Sequence, residues 1–101
     1  MLLQAIIGIT ATAFVLSAFW DELSTWTQQC INKASVFVHD VKVFIKRVRK
    51  LFIQSVEMYS DDKVITETRR IDESEVPSEI RENVCDGAMR EVTEQLSLQL
   101  Y

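Results

Sequence analysis

The sequence predicts an α+β protein, and three observations predict it. Residues 1–20, "MLLQAIIGITATAFVLSAFW", carry no charged side chain. From Trp20 to Phe52 apolar residues recur with a helical period. Residues 63–71, "KVITETRRI", instead alternate with period two. The predicted order is an N-terminal apolar helix (1–20), a long amphipathic helix (21–51), a β-hairpin (52–72) and an acidic C-terminal helical segment (73–101).

The first segment has the length of a transmembrane helix. Twenty helical residues reach about 30 Å, the thickness of a hydrocarbon core. Its polar members, Gln4, Thr10, Thr12 and Ser17, are mild, and Phe19 and Trp20 stand where aromatic rings meet headgroups. A signal peptide would need a basic start, yet Lys33 is the first basic residue. A helix buried against protein is the rival reading. Gln4, Gly8 and Thr12 recur every four residues, flanked by Ala5 and Ala11, and small residues at that spacing let a second helix approach closely. These five residues are the candidate helix–helix interface, and they predict a homo-oligomer.

The second helix is read from Leu23, Trp26, Cys30, Ala34, Phe37, Val41, Phe44 and Val48. A strand across "VFVHDVKVFIK" is the alternative. Overlapping its end is "KVFIKRVRK", residues 42–50, with five cations and no acid. Lys42, Lys46, Arg47, Arg49 and Lys50 are therefore candidate contacts to anionic lipid or to an acidic partner. The aromatic residues lie on the apolar stripe rather than among the charges, which argues against a nucleic-acid platform. Positive charge beyond the span would place the C-terminus in the cytoplasm, with the span in a bacterial inner membrane. A cytoplasmic protein is the alternative.

The hairpin is read from two β-prone runs, 52–60 and 63–71, around Ser60-Asp61-Asp62-Lys63, whose side chains favour turns. The last segment offers Ser74 or Ser78 as helix caps, Pro77 in a first turn, and Val76, Ile80, Val84, Ala88, Val92 and Leu96 at four-residue intervals. Asp86-Gly87 is a break point. Residues 72–101 hold eight acids against Arg81 and Arg90.

Catalytic chemistry is not visible. His39 is the single histidine, and Cys30 and Cys85 stand 55 positions apart with no metal-ligand spacing. Their redox state is open, with reduced thiols the simpler reading. No phosphate-binding glycine loop or catalytic triad spacing occurs. No cofactor, no metal and no enzymatic activity are expected.

The order of apolar lead, basic helix, hairpin and "SEVPSEIRE" resembles small uncharacterised bacterial proteins over about residues 36–84. The resemblance implies a bacterial source and no activity. The expected function is a small non-enzymatic, membrane-anchored interaction or scaffold protein that self-associates or recruits a partner. One alternative is an accessory or regulatory subunit whose apolar helix docks into a partner protein. Another is a pore-forming, holin-like effector.

Overall fold

The computed structural model describes residues 2–100, with side chains from Leu16 onward. One helix and one antiparallel sheet form its two layers. Helix α1 runs without a break from Leu2 to Lys33. Three nine-residue strands follow: β1 (Asp40–Val48), β2 (Leu51–Tyr59) and β3 (Val64–Asp72). A single helical turn at Glu73–Glu75 leads to the short helix α2 (Ser78–Asn83). Strand β4 (Met89–Glu91) and a last turn at Thr93–Gln95 end the fold. The sheet order is β3-β2-β1-β4.

Helix α1 contributes Phe19, Leu23, Thr27, Cys30 and Ile31 to the interior, a stripe at helical spacing. The sheet answers with Val41, Val43 and Ile45 from β1, Phe52, Val56 and Met58 from β2, and Ile71 from β3. Alternate residues of a strand share a face, so all of these point to one side. Val76, Ile80, Val84 and Val92 close the core from the C-terminal segment. That segment is also strapped to α1. Ser97 N donates to Ser24 Oγ at 3.2 Å, and Gln28 exchanges two bonds with the backbone of Gln99.

Three expectations are corrected. Among the described residues no helix is long and apolar enough to cross a membrane. The physical reason lies in the final turn of the supposed span. Phe19 is buried in the protein core, with Leu16 and Trp20 packed against it. The membrane and transmembrane readings, which rested on that helix, are overturned by this.

The long amphipathic helix over 21–51 is also corrected. The helix stops at Lys33, and 40–48 is a strand paired with β2 over its whole length. Val41, Val43 and Ile45 are buried, whereas Phe37 is 59% exposed, so the period of two governs this stretch. The C-terminal helix is corrected too. Only six residues are α-helical there, and Gly87, at φ 83°, turns the chain back toward β1. Val92 N then donates to Val43 O at 2.8 Å, and residues 89–91 join the sheet as β4.

The β1–β2 hairpin is closed by Arg49-Lys50 alone, since Val48 pairs with Leu51. Arg49 has φ 57°, a left-handed conformation that suits glycine. Its own contacts there are through the backbone: its N–H donates to Asp86 Oδ1 at 2.7 Å and its carbonyl accepts from Arg47 Nε at 3.1 Å. Arg49→Gly keeps both bonds and relieves the strain. We expect it to raise stability by about 0.5–1 kcal/mol, read as a higher urea midpoint at unchanged slope. A lower midpoint would show that this residue is not strained.

Candidate interaction surface

One face of the sheet is covered by α1 and the C-terminal segment. The other face is bare, because no element of the fold lies across it among the described residues. Antiparallel sheets tolerate this when the outer residues are polar. Here they are mixed. Phe44, Leu51 and Ile53 are half-buried by their neighbours, and Val48 and Met89 are exposed, Met89 by 59%. Cross-strand register sets their arrangement. Lys46 stands opposite Ile53 on β2 and opposite Met89 on β4, and Ile53 stands opposite Arg70 on β3. Cations and apolar residues therefore alternate across the sheet, Arg70–Ile53–Lys46–Met89, with Ile53 between the two exposed cations. Phe44 lies one step along β1, facing Ser55 and Glu91.

The basic cluster is split by this geometry into three parts, because a strand sends neighbours to opposite faces. Lys42 and Lys46 reach the bare face. Lys42 stands opposite Glu57, and its ammonium lies 5.6 Å from the Tyr59 ring centroid. Tyr59 donates to Glu57 at 3.2 Å, and partial burial with that carboxylate pushes its hydroxyl pKa up. Arg47 turns to the covered face and acts as a structural anchor. Its Nη1 donates to Arg81 O at 2.7 Å and Val84 O at 3.2 Å, and its guanidinium lies over Phe52 at 5.5 Å. Arg49 and Lys50 occupy the tight turn. Arg70, outside the sequence-derived cluster, joins Lys46 on the bare face. The signal for it was the alternation of "KVITETRRI", which already placed Arg70 with Thr66 and Thr68 on one side.

Gln4, Ala5, Gly8, Ala11 and Thr12 fall in the first half of α1, and their side chains lie outside the described residues.

Two concavities adjoin the core. A cleft of about 460 Å³ is lined by Arg47, Glu73, Ser78, Arg81, Glu82, Val84 and Cys85. Its cations are offset by Glu73 and Glu82, and Arg47 spends its donors on carbonyls. A second, of about 390 Å³, lies between the end of α1 and the β2–β3 edge, lined by Cys30, Lys33, Met58, Ile65 and Glu67 among others. Burial raises the Cys30 pKa, and Glu67 adds to this, so its thiol stays protonated at neutral pH. His39 sits elsewhere, 3.9 Å from Asp61 on an exposed loop. Among the described residues no group of three potential metal ligands occurs. The cysteines are free, Cys30 buried and Cys85 exposed.

Comparison with family models, curated proteins and solved structures finds no match.

Proposed function

We propose that this chain is a non-catalytic binding module, an accessory subunit that docks a partner protein on its bare sheet face. The observation that carries this reading is the row Lys46–Ile53–Arg70, with Met89 and Phe44 beside it. Apolar side chains interspersed with unpaired cations on an uncovered sheet face suit a protein partner that offers both apolar and acidic groups. Neither Lys46 nor Arg70 has an ion pair among the described residues, so both cations await carboxylates. The fitting partner presents an apolar stripe bordered by Asp or Glu. An amphipathic helix laid across the strands does so most simply. A cytoplasmic setting accords with an exposed free thiol at Cys85.

The test uses a defined probe. A labelled leucine–glutamate amphipathic helical peptide is titrated with the full chain, beside a leucine–lysine peptide of the same pattern. Fluorescence anisotropy should show the acidic peptide bound roughly tenfold more tightly, a preference worth about 1.4 kcal/mol. Ile53→Asp should abolish binding, and Lys46→Glu with Arg70→Glu should reverse the preference. Equal binding of both peptides, or binding that survives Ile53→Asp, would remove this face from consideration.

A further inference from the structure

Strand β3 is the outer strand of the sheet, and nothing in the fold pairs with its free side among the described residues. Such edges are usually blunted by proline, a bulge or a short length. This one has none of these. It pairs with β2 in unbroken register from Val64 to Asp72, and most of its side chains are exposed. The row of backbone N–H and C=O groups on its free side is a template for another strand.

The side chains say which strand fits. "VITETRRID" is complementary to itself read backwards. Two copies set antiparallel about a two-fold axis through Thr68 bring Glu67 opposite Arg69 twice. The same register sets Ile65 opposite Ile71 twice, Thr66 opposite Arg70 twice, and Thr68 opposite its own copy. Opposite charges and matched apolar residues directly across a ladder are the stabilising pairs. Neighbouring symmetric registers fail. An axis through Glu67 sets that carboxylate against itself, and an axis through Arg69 does the same with two guanidinium groups.

We propose that two copies of this chain pair edge to edge through β3, making one continuous eight-stranded antiparallel sheet with Thr68 on the axis. The charges on β3 then have a double role. They reject shifted registers and unrelated strands, and they match a second copy. Arg69 is suited to this, because its guanidinium is held in place within its own chain. Its Nε donates to Gln54 Oε1 at 2.8 Å, and it lies 5.2 Å from the Trp26 ring centroid. Its side chain is still 22% exposed. The two surfaces share Arg70 but not Ile53, which lies on β2, so Ile53→Asp separates them: it removes partner binding on the bare face and leaves this dimer unaffected.

The test turns on Thr66, which faces Glu57 within its own sheet and Arg70 of the second copy in the dimer. Thr66→Lys gains a favourable neighbour in the monomer and places a cation opposite Arg70 at each of the two symmetric positions in the dimer. Thr66→Asp does the reverse. Sedimentation equilibrium on the full chain should give twice the 11.7 kDa chain mass at high concentration. Thr66→Lys should weaken the dimer roughly tenfold, Thr66→Asp should strengthen it, and Glu67→Arg should dissociate it by at least as much. Circular dichroism verifies that each variant is folded. A chain that stays monomeric at millimolar concentration overturns the proposal. So does a dimer indifferent to Thr66→Lys and Glu67→Arg, since association would then run through another surface.

Discussion

Phe52→Ala should destabilise this protein by about 3–5 kcal/mol, a large part of the roughly 5–15 kcal/mol available to a small domain. Phe52 has no exposed surface. It sits on β2, a central strand, opposite Arg47 on β1 and Ile71 on β3. Truncation removes the ring's apolar burial and leaves a void that the two paired neighbours cannot close. It also strips the surface on which the Arg47 guanidinium rests. Arg47 joins β1 to Arg81 and Val84, so the damage should spread to the packing of the C-terminal segment. Urea denaturation followed by circular dichroism measures the cost. Phe37→Ala, at an exposed aromatic, should stay within about 0.5 kcal/mol. Similar losses for both would mean that β2 is not the centre of the core.

The second large effect lies at Gln54, a fully buried amide in the middle of that core. Its Nε2 donates to Thr27 Oγ1 at 2.9 Å and to Leu23 O at 3.3 Å. Its Oε1 accepts from Arg69 Nε at 2.8 Å. Arg69 in turn lies 3.7 Å from Glu22. One amide therefore links α1, β2 and β3. Gln54→Leu keeps the volume but leaves Arg69 Nε and Thr27 without their partner, and unmet buried groups cost about 1–3 kcal/mol each. We expect a loss of about 2–4 kcal/mol. Replacing the whole set is a different matter. Gln54→Leu combined with Thr27→Val and Arg69→Met removes the unmet groups together and should recover at least half of the loss. A triple variant as unstable as the single one would show that packing, and not hydrogen bonding, sets the cost.

Both sites bear on what could be read in advance. The alternation of "KVITETRRI" and the polar quartet Ser60–Lys63 are local features, and the chain turns there through Ser60 N donating to Lys63 O at 2.9 Å. Of the residues at four-residue spacing from Val76 to Leu96, Val76, Ile80, Val84 and Val92 are buried and Ala88 and Leu96 half-buried, although one helix does not carry them. Gly87 at positive φ converts that inward pattern into a short helix, a turn and an edge strand. Gln54 had no signal at all, since a polar residue in a strand reads as solvent-facing until its partners on another element are known.

What the sequence by itself determined was polarity and its spacing: an uncharged start, a basic middle, an acidic end, and inward residues at regular intervals. What only the tertiary structure decided was which period each stretch obeys. Residues 37–48 carry both patterns, Phe37-Val41-Phe44-Val48 for a helix and Val41-Val43-Ile45 for a strand. Helical hydrogen bonds are local, so a helix can be judged from its own residues. A strand leaves its backbone groups unmet until another strand arrives, and its stability belongs to the pair. Here β2 supplies that partner along nine residues of β1, and α1 covers the face this creates. The same pairing split the five cations of 42–50 among two faces and a turn, because alternation along a strand, unlike rotation around a helix, separates adjacent side chains by the thickness of the sheet.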